Sequence, residues 1–168
     1  MRLTTTITFI LSIVFLTGCG GGGRKMPAGM PKLYPVSISV TQEGKPLADA
    51  SVSLRYADPS AGTWAVGGKT DATGIVKLRT DGFPGAPVGK FKVVLIKQDN
   101  EGMEEYAAAG AQGDTVAASK VKVKIWSCVK EEYNDPKKTP LEVEITASTQ
   151  TLEVDAGPAV KIEQPFVP

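Results

Sequence analysis

The sequence predicts an all-β domain of the β-sandwich class, with many turns. Valine, isoleucine and threonine recur in short runs, several of which alternate strictly between apolar and polar residues, as strands with one buried face do. The chain also contains 18 glycines and 12 prolines, many of which stand between these runs and predict turns. Hydrophobic residues make up 42% of the sequence, so the chain has enough apolar material to form a core.

Eight segments have the length and pattern of strands, and turns rich in glycine, proline or aspartate separate them. They are residues 36–41, 50–56, 64–70, 75–80, 91–97, 121–126, 141–146 and 151–154. Residues 91–97 are the most apolar, which indicates a central strand. Residues 121–126 alternate between apolar residues and lysine, which indicates a strand at the edge of the sheet.

The expected domain covers residues 36–157 and contains a variable insertion at about residues 98–130. The insertion begins with acidic residues and continues through small ones at 107–111. Two glycines and Asp114 argue against a stable helix there. Residues 158–168 contain further prolines and predict a loose C-terminal tail.

The N-terminus has the features of a secretory leader that ends at a cysteine. Arg2 precedes the apolar residues 7–16, which would span only about 15 Å as a helix, half of a bilayer core. Residues 1–18 are therefore predicted to be a signal peptide. The last leader residues and the cysteine resemble a bacterial lipobox, in which a peptidase cuts before the cysteine and lipid is attached to its sulfur. They are Leu16, Thr17, Gly18 and Cys19.

An ordinary secretory cleavage site that happens to contain a cysteine is the alternative, but the glycine run after Cys19 fits the lipidated form better. A diacylglyceryl group at Cys19 would hold the chain stably, because two acyl chains bind a membrane far better than one. Gly20 stands where an aspartate would signal retention at the inner membrane, which favours the outer membrane. The expected location is the cell envelope, with the domain in the periplasm or at the cell surface.

Residues 19–35 form a tether rich in glycine and proline between the lipid and the domain. Its contour is at most about 55 Å. As a flexible coil it reaches about 20–25 Å. The domain is therefore expected to stay close to the membrane.

Charge and residue usage exclude several classes of function. The chain has 19 basic and 18 acidic residues, and removal of Arg2 with the leader leaves 18 of each. This balance gives no electrostatic footprint for nucleic acid. The chain has no histidine, which removes Ser-His-Asp and Cys-His catalysis and histidine-ligated zinc. We expect no catalytic residues, no cofactor and no metal site.

Cys128 is the cysteine that remains once Cys19 is lipidated, so no disulfide can form within the chain. It is interpreted as a buried small hydrophobe, because free cysteine is among the most buried residue types. A reactive thiol, or a disulfide to a partner, is the alternative. Activation by Lys130 alone gives that alternative little support.

Four motifs resemble segments of known bacterial proteins, three of them those of one domain family. Residues 43–52 (EGKPLADASV), 68–74 (GKTDATG) and 85–93 (GAPVGKFKV) are similar to motifs of carboxypeptidase regulatory-like domains. Residues 133–141 (YNDPKKTPL) resemble the ending of small lipoproteins of the planctomycete type. The matches fall in order over residues 36–155. The resemblance implies a transthyretin-like β-sandwich of about seven strands and no particular activity, since fold does not determine function.

Two groups of residues are candidates for binding. The acidic residues Asp99, Glu101, Glu104 and Glu105 offer oxygen ligands for Ca²⁺, but their spacing does not match an EF-hand, and a solvated loop explains them better. Aromatic residues could form a surface on which a sugar stacks, with Trp64 and Trp126 as the leading candidates; packing in the core and at its edges is the alternative. The other aromatics considered are Tyr34, Tyr106 and Tyr133.

These observations favour a non-catalytic envelope lipoprotein, anchored by lipid, whose β-sandwich serves binding, adhesion or structural support. The partner would be an envelope protein or a glycan, not a nucleic acid. A module that binds carbohydrate or peptide for a neighbouring enzyme is the alternative. An enzyme of another type is the least favoured hypothesis.

Overall fold

The computed structural model describes residues 25–166, and strands dominate this part of the chain. Strands account for 40% of it and helices for 15%, and most of the strand pairs are antiparallel. The predicted all-β sandwich class is confirmed. No helix in residues 25–166 is long and apolar enough to cross a membrane.

Thirteen strands and two α-helices follow one another in residues 25–166. The strands are β1 (Val36–Gln42), β2 (Lys45–Pro46), β3 (Ser51–Tyr56), β4 (Val66–Lys69), β5 (Ile75–Lys77), β6 (Arg79–Thr80), β7 (Phe83–Pro84), β8 (Gly89–Ile96), β9 (Gln98–Glu101), β10 (Lys124–Ser127), β11 (Glu142–Ile145), β12 (Gln150–Asp155) and β13 (Ile162–Gln164). The helices are α1 (Met103–Ala111) and α2 (Thr115–Lys120), and 3₁₀ turns lie at Pro59–Ala61 and Glu131–Asn134.

Two sheets contribute side chains to a single core. In the first sheet β1 lies between β12, which is parallel to it, and the antiparallel strands β2 and β5. The second sheet has the order β11-β8-β3-β4-β6-β7. Alternate residues of β1 and β3 are buried, as the period of two in their sequences requires. The largest fully buried side chains include Phe91, Ile38, Leu54, Leu95 and Ile145.

The segment predicted as an edge strand, residues 121–126, takes a different place. Its strand, β10, begins only at Lys124 and lies in the middle of a third sheet of order β13-β10-β9. The prediction that this strand lies at an edge was wrong, because the alternation of lysines indicates only which side chains are solvated. It does not report that the C-terminal segment returns to pair with the free side of β10.

The prediction that the insertion holds no stable helix was also wrong. Asp114, which argued against a helix, lies at the N-cap of α2, where its carboxylate accepts the backbone N–H of Ala117 at 2.8 Å. Gly113, at φ +74°, forms the turn between the two helices. Helix α1 begins after Gly102, which has a φ of +79°. The residues that disfavour a helix interior therefore mostly lie at helix ends.

The two predicted flexible segments are partly ordered where they are described. Residues 158–168 were predicted to be loose, but β13 pairs with β10, and Phe166 packs edge-on against Tyr106 with 5.2 Å between ring centroids. At the other end, Tyr34 in the predicted tether forms a β-bridge with Ala86. The folded part of the chain therefore begins slightly before residue 36.

Candidate functional site

The candidate site is a surface cavity of about 570 Å³ beside the end of β3. Three segments line it: the end of β3 with the loop that follows, strand β8, and the turn after the second 3₁₀ helix. The side chains and backbone that shape it combine aromatic and cationic groups. The main ones are Arg55, Tyr56, Gly62, Trp64, Lys92 and Lys137.

The loop after β3 carries Trp64 to the cavity. The predicted strand 64–70 begins only at Val66, which leaves Trp64 in this loop, half-buried. The carboxylate of Asp58 accepts the backbone N–H of Ser60 at 2.9 Å and caps the 3₁₀ turn Pro59–Ala61. The loop is therefore ordered by local hydrogen bonds.

Gly62 brings this loop close to Tyr56. A Cβ atom at Gly62 would lie 2.8 Å from Cζ of the Tyr56 ring, so only glycine fits without a shift. Tyr56 also packs against Phe91 of the core, with 4.7 Å between ring centroids. Burial raises the pKa of the Tyr56 phenol, so the group is neutral in ordinary conditions and offers a ring and a hydroxyl rather than a charge.

The opposite wall comes from the turn that carries Lys137. The Asp135 carboxylate accepts the backbone N–H of Lys137 at 2.8 Å, which fixes the turn. A few residues on, the buried hydroxyl of Thr139 donates to the carbonyl of Val93 at 2.8 Å. This contact attaches the segment to β8 and thereby sets the width of the cavity.

The charges at the cavity are mainly positive. Arg55 of β3 stands directly opposite Lys92 of β8, an arrangement in which like charges destabilise a sheet. Glu142 of β11 is opposite Lys92 on its other side and forms an ion pair with it at 2.5 Å. The hydrogen bond from Lys92 lowers the pKa of Glu142. Within residues 25–166, Arg55 and Lys137 take part in no ion pair.

Trp126 lies in a different groove from Trp64. That groove, of about 440 Å³, runs between β10 and the C-terminal segment. The ammonium of Lys161 lies 4.1 Å from the centroid of the Trp126 ring. This cation–π contact covers one face of the indole. The structure therefore separates the two tryptophans that the sequence put forward together.

Cys128 lies in the same groove as Trp126, half-buried, and it is the free cysteine of the described residues. Burial raises the pKa of its thiol, and the nearby Asp99 carboxylate raises it further. A thiol that resists ionisation is a poor nucleophile. This favours the interpretation as a small packing residue over a reactive one, although Cys128 is less buried than expected.

Of the other sequence candidates, Asp99 lines the groove around Trp126, and the rest join neither groove. Tyr133 is buried in the core, Tyr34 sits at the bridge to Ala86, and Tyr106 packs on Phe166. The acidic residues of the insertion belong to β9 and the first turn of α1. In residues 25–166 no group of three or more Asp, Glu or Cys residues is close enough to hold a metal ion, so the Ca²⁺ alternative gains no support.

The motif residues serve the fold rather than the cavity, with two exceptions. Thr70 and Asp71 hold turns by hydrogen bonds, and Glu43 and Gly44, both at positive φ, close the β1–β2 hairpin. The exceptions are Lys92 of the 85–93 motif and Lys137 of the 133–141 motif, which line the cavity. The lipobox residues and Cys19 lie outside the described part of the chain.

Sequence reasoning found Trp64 but missed the cations around it. Arg55 and Lys92 are 37 positions apart in the chain, and only the pairing of β3 with β8 makes them neighbours. Lys137 belongs to the 133–141 motif, but nothing in that motif indicates a binding role. Strand register could have predicted that Arg55 and Lys92 are neighbours, because an alignment of the buried positions of β3 and β8 places the two residues opposite each other.

Comparisons with protein-family models, with curated proteins and with solved structures found no match to this chain. The fold and the cavity thus define its class by themselves: a β-sandwich domain with an aromatic and cationic surface cavity.

Proposed function

We propose that this chain is a lipid-anchored protein of the bacterial cell envelope, and that its β-sandwich is a binding module without catalytic activity. The observation that supports the binding part is the cavity lined by Arg55, Trp64 and Lys137, the Trp64 cavity. It is concave, largely apolar and lined by a few polar groups, which is the common form of a ligand site. The surrounding hydrogen bonds hold its walls in place before any ligand arrives.

The anchoring part of the proposal rests on the leader, the Leu16–Cys19 motif and the tether after it. A lipid at Cys19 would leave the domain free to reach ligands within about 20–25 Å of the membrane. The domain is further proposed to be a carboxypeptidase regulatory-like domain of the transthyretin-like class, because its first three motifs resemble those of that family. Three of these motifs supply turn and core residues in the sandwich, as the resemblance implies.

The absence of histidine from the chain supports a non-catalytic role. The ionisable groups of the two tryptophan grooves add to this support. The Tyr56 phenol and the Cys128 thiol both have a raised pKa, which makes them poorer bases and nucleophiles at neutral pH. Arg55 and Lys92 are suited to bind an anion rather than to transfer a proton.

Co-sedimentation with envelope material from which lipid has been removed tests the binding function. The full chain, purified in detergent, is expected to sediment with this material in a saturable manner. Trp64→Ala is expected to weaken binding about tenfold, because a buried aromatic anchor commonly carries much of the binding energy. Trp126→Ala is the matched control, since Trp126 lies in the other groove, and its effect should stay below about twofold.

Two results would contradict the proposed function. One is the absence of saturable binding by the wild-type chain. The other is equal loss of binding in the two tryptophan variants, which would mean that the Trp64 cavity is not the binding site.

A further inference from the structure

The Trp64 cavity has features that select a class of ligand, and the inference drawn from them rests on the proposed binding function. An aromatic pair and a set of cations face the same space. An indole offers a flat apolar face, and guanidinium and ammonium groups offer charge-assisted hydrogen bonds to carboxylate oxygens. We propose that the cavity binds an acidic polysaccharide, with a sugar ring on Trp64 and carboxylates on Arg55 and Lys137.

The charge that favours an anion comes from the row Arg55–Lys92–Glu142 across β3, β8 and β11. The row contains two cations and one carboxylate, which pairs with Lys92, so its net charge is positive. Lys137 on the facing wall adds a second cation without an ion-pair partner in residues 25–166. A bound carboxylate would relieve the repulsion between Arg55 and Lys92, which a neutral sugar would not.

The cavity continues along the sheet, and this shape favours an extended ligand. A shallower groove of about 440 Å³ shares Arg55 with the Trp64 cavity and extends over β4 to Arg79. Gly67 and Gly68 form its floor, where a Cβ atom at Gly67 would lie 2.5 Å from the Val52 carbonyl oxygen. Arg79 and Asp81 both line its far end, so the charge there is balanced, and the low floor at the two glycines leaves room for an extended ligand rather than a single small anion.

A polysaccharide fits this surface better than an acidic peptide. Peptides that bind β-sheets commonly add a strand to an open edge. The strands beneath the cavity, β3 and β8, are paired on both sides, so their backbone offers no such edge. Recognition here must use side chains, and the half-buried Trp64 provides a flat ring for a sugar.

The groove around Trp126 is less suited to bind the same acidic polysaccharide. The Lys161 ammonium already occupies one face of that indole. The other lysine of that groove, Lys97, pairs with the Asp99 carboxylate at 3.5 Å, so both lysines there already have a partner. We therefore expect the ligand to contact Trp64 and not Trp126, the two tryptophans of the chain.

The test is a titration of the ¹⁵N-labelled full chain in detergent with oligogalacturonate, followed by the two indole N–H signals. Phenylalanine substitutions, Trp64→Phe and Trp126→Phe, assign the signals. The Trp64 signal is expected to shift in a saturable manner while the Trp126 signal stays in place. Binding should weaken as salt rises, because the charges are partly exposed.

Neighbouring lysines provide the matched variants. Lys137→Ala is expected to weaken binding about tenfold, equivalent to about 1.4 kcal/mol. Lys138→Ala removes the same charge next to it, but Lys138 does not line the cavity and contacts Asp135 at 3.9 Å. Its effect should stay below about twofold, in line with exposed ion pairs.

Several outcomes would overturn the inference. One is a Trp64 signal that does not shift, and another is equal binding of the methyl-esterified oligomer, which has no charge. An equal shift with oligoglutamate would indicate that the cavity binds an acidic peptide or any polyanion. Equal effects of the two lysine variants would mean that Lys137 does not contact the ligand. If oligogalacturonate fails while envelope material still binds in a Trp64-dependent manner, the ligand class is wrong and the binding function stands. If both fail, the binding function falls as well.

Discussion

At the scale of single residues, Thr70 shows how a sequence motif does structural work. It lies in the 68–74 motif, is 3% exposed, and uses its hydroxyl twice. The hydroxyl donates to the Leu47 carbonyl at 2.7 Å and accepts the Ala50 N–H at 2.8 Å. One threonine thus ties the chain segment before β3 to the segment after β4, and satisfies two backbone groups that would otherwise lack a partner.

Replacement of this hydroxyl should destabilise the domain strongly. Thr70→Val keeps the shape but leaves the Leu47 carbonyl and the Ala50 N–H without a partner, so we expect the free energy of unfolding to fall by about 2–4 kcal/mol. Urea denaturation measures this. Thr151→Val, at an exposed position of β12, is the control and should change stability by less than about 0.5 kcal/mol. Equal effects of the two variants would mean that the Thr70 hydrogen bonds contribute little.

The same scale explains which site residues the sequence could predict. A tryptophan at the start of a strand-like run is visible in the sequence, and Trp64 is therefore a candidate without knowledge of its surroundings. The opposition of Arg55 and Lys92 depends on strand register, which is a tertiary property. The Lys161 contact with Trp126 depends on the return of the C-terminal segment, and so the sequence could not separate the two tryptophans.

At the scale of elements, the turns of the sandwich depend on glycine for two different reasons. Gly44 and Gly74 both have a φ of +75°. A Cβ atom at Gly44 would have no neighbour within 4 Å, so conformation alone requires glycine there. At Gly74 a Cβ atom would also lie 2.7 Å from the Val40 carbonyl oxygen of β1. That oxygen belongs to the backbone of a buried strand and cannot move freely.

This difference gives a paired test. Gly44→Ala is expected to lower the free energy of unfolding by about 1–2 kcal/mol, the cost of a left-handed conformation for a residue with a Cβ. Gly74→Ala adds a backbone clash and is expected to cost at least about 1 kcal/mol more. Urea denaturation of the two variants measures the difference. If Gly74→Ala is no more harmful than Gly44→Ala, then β1 does not pack against this turn as closely as described.

Elements with a regular local pattern were predicted well, and elements defined by distant partners were not. The alternation of residues 36–41 and the apolar run 91–97 identify β1 and the central strand β8, because burial of one or both faces is recorded in the residues themselves. The helices of the insertion have no buried residue in α1 and one, Ala118, in α2. Their sequences therefore have little amphipathic pattern. An aspartate such as Asp114 disfavours a helix interior but favours a helix N-cap, and the sequence alone does not distinguish the two positions.

At the scale of the whole molecule, the proposed function joins an anchor and a binding surface. The described part begins its fold at Tyr34, which bridges to Ala86, so only the residues between Cys19 and this bridge would separate the proposed lipid from the domain. With the proposed lipid, a tether of this length would keep the domain near the membrane and leave it free to rotate. The Trp64 cavity could thus meet ligands within the envelope without a further membrane contact.

The central claim is that Cys19 attaches the domain to the membrane, and cell fractionation with intact-mass measurement tests it most directly. The wild-type chain is expected in the membrane fraction, cut before Cys19 and carrying acyl groups. Cys19→Ser should release the protein or leave it with its leader uncut, while Cys128→Ser, the matched control, should behave like the wild type. A Cys19→Ser protein that is cut normally and stays in the membrane fraction would contradict the account.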